Sequence, residues 1–299
     1  MASVHHRNAS VDGQRLFYRE AGPKDAPTVV LLHGFPTSSC TFQNLIPLLA
    51  DRYHVIAPDH LGFGFSDAPP VDEFEYTFDA LANLTAGLLG QLKAERFALY
   101  VQDYGAQVGW RLALGNPGAV TAIVSQNGSG YEVGFADEFW KPVRAYWAER
   151  TPRTEAALRQ ALTLDAVRWQ YIHGVPDPSL IGPDKWYLDF AMLSRPGNDL
   201  VQLRLMADYA RNLILYPRLH SYLRESKVPL LVIWGRNDEI FRLESALAFT
   251  ADAPHAEVYL LDGGHFLLES HLDTAAGATR HFLDRALLPA PVRRTPVAP

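Results

Sequence analysis

The chain has 299 residues, of which 48% are apolar, and it carries a formal net charge of −6 at pH 7. An acidic chain without a basic patch excludes nucleic acid and anionic membranes as main partners, and a single cysteine, Cys40, excludes an internal disulfide. No segment approaches the ~20 apolar residues of a membrane span, and residues 1–7 lack the apolar segment of a secretory signal, so we expect a cytoplasmic protein.

Strand-like apolar runs alternate with helical segments through the first 127 residues. A turn at 11–14 separates two short N-terminal strands. The next runs are continuously apolar, as is typical of strands buried on both faces of a sheet: Thr28–Leu32, His54–Pro58, Phe97–Gln102 and Val120–Ser125. Apolar residues at helical spacing predict helices over 42–49 and 77–92, and a third helix after Asp103. This alternation predicts an α/β protein with a parallel sheet and helices on both of its faces.

The alternation stops after about residue 127, where helical segments rich in Trp and Tyr replace the strands. The strand pattern resumes at Pro229–Gly235 and Glu257–Leu261, and a last helix is predicted over 273–287. We therefore predict a core in two parts, residues 1–127 and 227–288. A helical cap, residues 128–226, is inserted between them over the edge of the sheet. We expect the tail, residues 289–299, to be disordered.

Asp103 lies where the predicted strand 97–102 gives way abruptly to a helix. Strand, sharp turn and helix with a reactive side chain at the apex is the layout of a nucleophile elbow, commonly written G-x-S-x-G. Here the five positions read Val101-Gln102-Asp103-Tyr104-Gly105, so a carboxylate replaces the serine. Asp is also a favoured N-cap residue of helices, and its interpretation as a nucleophile depends on partners elsewhere in the chain.

Two further strand ends supply such partners. Asp238 follows the strand at 229–235, and His265 follows the strand at 257–261. Ligands of open α/β sheets bind at the carboxyl ends of the strands, so we expect both side chains to lie near Asp103. The chemistry requires these residue types, since a histidine acts as base and a carboxylate on its other nitrogen fixes the tautomer.

A carboxylate nucleophile changes the reactions that are accessible. It needs no deprotonation at pH 7, so it can attack an electrophilic carbon, displace an oxygen or a halide, and form an alkyl ester on Asp103. His265 would then deprotonate a water that attacks the ester carbonyl. The oxyanion formed there needs two backbone N–H donors, which we predict to be those of Phe35 and Tyr104.

Five motifs in this order resemble the α/β-hydrolase superfamily, and more narrowly its branch of soluble epoxide hydrolases and haloalkane dehalogenases. They are His33-Gly34-Phe35-Pro36, the loop from Asp59 to Asp67, Gln102-Asp103-Tyr104-Gly105, Asn237-Asp238 and Gly264-His265. The resemblance covers residues 10 to 287, with a loose match in the cap. It implies a mostly parallel, eight-stranded sheet flanked by helices, an inserted helical cap, and an Asp103–His265–Asp238 triad.

Within that branch the motifs favour an epoxide hydrolase that forms vicinal diols. Haloalkane dehalogenases usually carry Trp after the nucleophile and often Asn or Glu after His-Gly, where this chain has Tyr104 and Phe35. The segment from Tyr209 to Asn212 resembles the one that carries a proton-donating cap tyrosine in epoxide hydrolases, and Tyr209 is our candidate acid. Three residues remain open as a second donor: Tyr146, Tyr171 and Trp186. Haloalkane dehalogenation by the same triad, and ligand binding without turnover, are the alternatives.

Aromatic residues of the cap predict a mostly apolar pocket for a small organic substrate and water. The candidates for its lining are Tyr146, Trp147, Tyr171, Trp186 and Phe266. We expect no cofactor, and no metal, because the 11 histidines show no metal-binding spacing such as H-E-x-x-H. The expected oligomeric state is a monomer or a homodimer.

Overall fold

The computed structural model describes residues 3–288 and contains an eight-stranded, mostly parallel sheet. The strands, in chain order β1 to β8, are Val4–Val11, Gln14–Ala21, Thr28–Leu32, His54–Pro58, Phe97–Gln102, Val120–Gln126, Leu230–Gly235 and Glu257–Leu261. Their order across the sheet is β1-β2-β4-β3-β5-β6-β7-β8. β2 pairs antiparallel with β1 and β4, and every other pairing is parallel, so the carboxyl ends of β3 to β8 meet at one edge. The predicted fold class is confirmed.

Continuous apolar sequence places the central strands between two layers of helices. Every residue of β4, β5 and β7 is buried, as expected for strands covered on both faces. The helices of the core are α1 (Ile46–Leu49), α2 (Phe78–Gln91), α3 (Tyr104–Gly115), α10 (Leu243–Asp252), α11 (Leu267–Ser270) and α12 (Leu272–Leu287). Two separate apolar clusters, one on each face of the sheet, form the core.

The helix predicted over 42–49 is divided in the structure. A short 3-10 helix, Ser39–Phe42, comes first, and α1 begins only at Ile46. The hydroxyl of Ser38 accepts a hydrogen bond from the Cys40 backbone N–H and starts the 3-10 turn ahead of the predicted helix. The turn at 11–14, by contrast, forms as predicted, with positive φ at Asp12 and Gly13.

Helices without strands occupy the chain between β6 and β7. They are α4 (Asp137–Ala148), α5 (Pro152–Leu158), α6 (Leu164–Ile172), α7 (Asp184–Leu193), α8 (Asn198–Asp208) and α9 (Ala210–Ser226), with three short 3-10 helices among them. These helices form the inserted cap. Its boundaries at 128 and 226 remain a prediction from the sequence. The tail predicted at 289–299 lies outside the described residues. Within residues 3–288, no helix combines the length and hydropathy needed to cross a bilayer.

Candidate active site

Asp103 forms the apex of a strained turn between β5 and α3. Its φ of 48° and ψ of −119° are unusual for a residue with a side chain. The turn also explains Gly105, because a Cβ there would lie 2.0 Å from the carbonyl oxygen of Leu32. Strand, turn and close helix packing therefore fix the direction in which the Asp103 side chain points.

The carboxylate of Asp103 is buried and held by backbone donors. Its Oδ1 accepts a 2.7 Å hydrogen bond from the N–H of Phe35, in the loop after β3. Burial raises the pKa of Asp103, whereas His265 and the backbone N–H groups of Phe35 and Tyr104 act in the opposite direction. Both predicted oxyanion donors thus lie beside this carboxylate.

His265 lies between two carboxylates at the same edge of the sheet. Its Nδ1 is 2.9 Å from Oδ2 of Asp238, and its Nε2 is 4.0 Å from Oδ2 of Asp103. Burial lowers the pKa of His265, but Asp238 and then Asp103 outweigh burial, so the net pKa lies above the ordinary value. The structure therefore brings together the three side chains predicted to form the triad.

Asp238 is anchored on both of its oxygens. Its Oδ1 accepts hydrogen bonds from the N–H groups of Ile240, at 2.7 Å, and Phe241, at 3.2 Å. Its Oδ2, which faces His265, also accepts a 2.7 Å hydrogen bond from Nδ2 of Asn127 at the end of β6. These bonds leave Asp238 a single orientation, suited to holding the imidazole ring.

Gln102 is a site residue that sequence analysis treated only as a neighbour of Asp103. Its Oε1 accepts a 3.1 Å hydrogen bond from Gly34 N–H, and its Nε2 lies 2.9 Å from Nε2 of His265. The only sequence signal was its position as the last residue of β5. Contact with His265 depends on the side-chain rotamer, which apolar patterning does not encode.

Tyr209, between the cap helices α8 and α9, lies in a cluster of aromatic rings. Its ring centroid is 5.7 Å from that of Tyr104 and 4.8 Å from that of Trp140. Its hydroxyl accepts a 3.1 Å hydrogen bond from Nε2 of Gln107, whose amide also donates to the carbonyl of Ser129. Burial raises the pKa of Tyr209 well above its ordinary value, with Tyr216 and Asp103 adding to the rise, so the phenol is protonated at neutral pH.

A cavity of about 600 Å³ joins Asp103 to the cap. Tyr209, Phe35 and Tyr104 line it together with Asp103. The apolar remainder of the lining comes mainly from α4, α5 and α6, and includes Phe139, Trp140, Val143, Leu158, Ala161, Trp169, Met206 and Ile240. Polar residues also contribute to the lining: Glu138, Gln160, Gln170, Glu239 and Arg242. Such a cavity suits a small, mainly apolar molecule.

The residues that line this cavity do not include the five predicted for the pocket, which are Tyr146, Trp147, Tyr171, Trp186 and Phe266. The α4 face turned to the cavity carries Phe139, Trp140 and Val143. The indole of Trp147 donates instead to the carbonyl of Met206, and the hydroxyl of Tyr171 donates to Asp189. Tyr171 stacks on Phe266 of the core, which in turn is edge-on to His265, at centroid distances of 4.4 and 4.9 Å.

The donor set of this site is one carboxylate pair, one imidazole and one phenol. In the part of the chain that the structure describes, residues 3–288, no group of three His, Cys, Asp or Glu side chains is placed to hold a metal ion. The arrangement can perform nucleophilic attack by a carboxylate, proton donation by a phenol and base catalysis by a histidine.

Comparison with known proteins identifies relatives over most of the chain. Residues 27–272 match the alpha/beta hydrolase fold family. An uncharacterized hydrolase of Saccharomyces cerevisiae is 45% identical over 270 residues, which is 89% of this chain and 92% of that protein. Epoxide hydrolase A of Mycobacterium tuberculosis is 38% identical over 126 residues, which is 42% of this chain and 39% of that protein. Among solved structures, a putative ancestral haloalkane dehalogenase superposes with a TM-score of 0.76 at 25% identity, covering 94% of this chain and 99% of the other.

Proposed function

The chain belongs to the alpha/beta hydrolase family, and we propose that it is an epoxide hydrolase that works through an alkyl ester on Asp103. The observation that carries this proposal is that a buried carboxylate and a phenol line one apolar cavity, with a carboxylate-bound histidine 4.0 Å behind the first carboxylate.

The first proposed step forms the ester. Oδ1 of Asp103 is occupied by the N–H of Phe35, so Oδ2 attacks an epoxide carbon and the C–O bond of the ring breaks. The phenol of Tyr209 gives its proton to the departing ring oxygen, which stays attached to the product as a hydroxyl. Gln107, which donates to the same phenol oxygen, stabilises the phenolate left behind.

The second proposed step hydrolyses the ester. Nε2 of His265 takes a proton from a water molecule, and the resulting hydroxide attacks Cγ of Asp103. Negative charge develops on Oδ1, where the N–H groups of Phe35 and Tyr104 stabilise it; one such donor is typically worth ~3 kcal/mol. On collapse the bond from Cγ to the substrate oxygen breaks, and that oxygen takes the proton of the hydroxyl on Cγ, which releases the diol and restores the carboxylate of Asp103. The proton on His265 returns to the phenolate of Tyr209, so the net change is addition of one water.

Two features favour an epoxide over a haloalkane. The residue after Asp103 is Tyr104, which has no indole N–H for a departing halide. The indole N–H groups of two cap tryptophans are already used by main-chain carbonyls, that of Trp140 by Ile240 and that of Trp147 by Met206. A departing halide would need such donors, whereas an opening epoxide needs a proton donor, and Tyr209, which lines the cavity together with Asp103, is our proposed donor.

Haloalkane dehalogenation by the same carboxylate is the second candidate. It is favoured by the apolar cavity and by similarity to the putative ancestral haloalkane dehalogenase along nearly the whole chain. Non-catalytic ligand binding is the third, and the complete set of nucleophile, base and orienting acid argues against it. We further propose a cytoplasmic location and a small organic substrate, as the sequence predicts.

The experiment that separates these candidates compares styrene oxide with 1-bromobutane as substrates of the purified protein. We expect a vicinal diol from the epoxide and little bromide release from the haloalkane. Rapid bromide release without diol formation would favour the dehalogenase. Saturable binding of both compounds without product, and without an adduct on Asp103 in a mass spectrum, would overturn covalent catalysis.

A further inference from the structure

Gln102 is buried between the loop that carries Phe35 and the ring of His265, with 1% of its surface exposed. It is the last residue of β5 and directly precedes Asp103. The side chain makes two hydrogen bonds, 3.1 Å from Gly34 N–H to Oε1 and 2.9 Å between its Nε2 and Nε2 of His265. It thus contacts the proposed base on the edge that faces the proposed nucleophile.

The partners of Gln102 determine which way its amide faces. The backbone N–H of Gly34 can only donate, so the amide oxygen must face it and the NH₂ must face His265. An NH₂ group also only donates, which requires Nε2 of His265 to be an unprotonated acceptor. On the other side of the ring, Nδ1 faces a carboxylate oxygen of Asp238, which requires Nδ1 to carry the hydrogen. The two contacts together specify the neutral Nδ1–H tautomer.

We propose, resting on the function proposed above, that Gln102 is a positioning residue that holds His265 as a neutral base and prevents it from pairing with Asp103 before the ester forms. An imidazolium would direct its Nε2–H toward Oδ2 of Asp103, 4.0 Å away, and would neutralise both the nucleophile and the base. The same N–H would face the NH₂ of Gln102, donor against donor. Once the ester has formed, a water molecule takes over the lone pair of Nε2.

The charged neighbours of His265 favour its protonated form, so a neutral His265 needs an opposing contact. Two carboxylates face the ring, Asp238 from the loop after β7 and Asp103 from the elbow, and both favour the imidazolium. The rings of Phe241 and Phe266 pack against it without charge, at centroid distances of 6.1 and 4.9 Å. The amide of Gln102 is the polar contact in this set that favours the neutral form.

Two variants of Gln102 and one matched control test the proposal. Gln102→Glu keeps an acceptor for Gly34 N–H and removes the donor to His265, whereas Gln102→Met removes both. Gln126→Met is the control, because Gln126 ends β6 in register with Gln102, is equally buried, and accepts a hydrogen bond from Tyr100 away from His265. Thermal melting of all three variants establishes that they are folded.

The first measurement is ¹⁵N NMR of histidine-labelled protein without substrate, with the signal of His265 assigned by its loss in His265→Gln. We expect an Nδ1–H imidazole in the wild type above its titration midpoint. The midpoint should rise by about one pH unit in both Gln102 variants, as expected for the loss of one hydrogen bond to the neutral ring, and more in Gln102→Glu. Gln126→Met should leave it unchanged. An Nε2–H tautomer in the wild type, or an unchanged midpoint in both Gln102 variants, would overturn the proposal.

The second measurement is single-turnover formation of the ester from styrene oxide, followed against pH. In both Gln102 variants, the acid limb of the rate of ester formation should move up by the same shift as the NMR midpoint, because an imidazolium paired with Asp103 blocks its attack; an unmoved limb contradicts the proposal. If the wild type forms no ester at all, the proposed function fails, whereas the NMR measurement still decides on Gln102 by itself.

Discussion

Nε2 of His265 lies 4.0 Å from Oδ2 of Asp103, and the two atoms share no hydrogen bond. The separation leaves Oδ2 free to attack an electrophile and leaves Nε2 within reach of the same centre through one water. Oδ1 of Asp103 differs, since it is held at 2.7 Å by the N–H of Phe35. The two oxygens of one carboxylate are thus prepared for the two roles of our proposal, attack by Oδ2 and oxyanion formation on Oδ1.

Replacing His265 by Gln should trap the ester. Formation of the ester does not use the base, but its hydrolysis does, so the variant should gain the mass of one styrene oxide on the peptide that contains Asp103. Intact-protein and peptide mass spectrometry measure this. His220→Gln is the matched control, because His220 is partly buried away from the site, where its Nε2 contacts the carbonyl of Gly130 and its Nδ1 lies near Asp252. This variant should show no lasting adduct. An adduct that survives Asp103→Asn in the His265→Gln background would contradict the assignment of the nucleophile.

Replacing Tyr209 by Phe should slow the opening of epoxides about 100-fold, the usual order for a lost general acid. Alkylation by 1-bromobutane, where it occurs, should change little, because a bromide needs no proton to leave. Stopped-flow tryptophan fluorescence measures both alkylation rates. Tyr222→Phe is the control, since Tyr222 is buried on α9 and outside the cavity lining. Equal losses with the epoxide and the bromide would show that Tyr209 has a structural role.

Replacing Gly34 by Ala should disable the nucleophile. An added Cβ would lie 2.3 Å from Cβ of Asp103 and 2.4 Å from its Oδ1, in the position that this oxygen needs to reach Phe35 N–H. We expect alkylation to fall by at least 100-fold, similar to the loss of an oxyanion donor. In contrast, Gly277→Ala on α12 meets no atom within 4 Å and should stabilise the fold by about 0.5–1 kcal/mol. Full activity of Gly34→Ala would contradict the elbow geometry described here.

The sequence predicts the sheet and the meeting of Asp103, Asp238 and His265 for one physical reason. Continuous apolar runs must be buried on both faces, parallel strands follow from helical crossovers, and the residues that end those strands then lie at one edge. The structure places all three side chains there, with His265 between the two carboxylates, 4.0 Å from Asp103 and 2.9 Å from Asp238.

Cap packing is less accessible to this reasoning, since aromatic residues at helical spacing show burial without showing which neighbour they bury against. Trp140 lines the cavity, whereas Trp147, seven residues further along α4, donates its indole N–H to the carbonyl of Met206. The role of Gln102 was also missed, because it depends on a rotamer and on two partners more than 60 positions away.

Asp189 on α7 is a buried carboxyl at the contact between the cap and the core. Its Oδ2 accepts a hydrogen bond from Tyr171, whose ring stacks on Phe266 beside His265. The pKa of Asp189 is raised to about 7: burial is the main cause and the charge of Glu269 adds to the rise, while the Tyr171 hydrogen bond and Lys185 oppose it. Its pKa in the unfolded chain is the ordinary value, 3.8.

Replacing Asp189 by Asn should therefore stabilise the protein increasingly as the pH rises. Between about pH 4 and pH 7 the folded state holds a proton on Asp189 that the unfolded state has lost, so the free energy of unfolding of the wild type falls as the pH increases through this window. Asn cannot ionise and can still accept from Tyr171. We expect the melting temperature of Asp189→Asn, relative to the wild type, to be higher at pH 8.5 than at pH 5. The corresponding gain in the free energy of unfolding is at most about 4 kcal/mol. The exposed Asp72→Asn variant is the control and should show no such trend; a difference for Asp189→Asn that is constant with pH would contradict the elevated pKa.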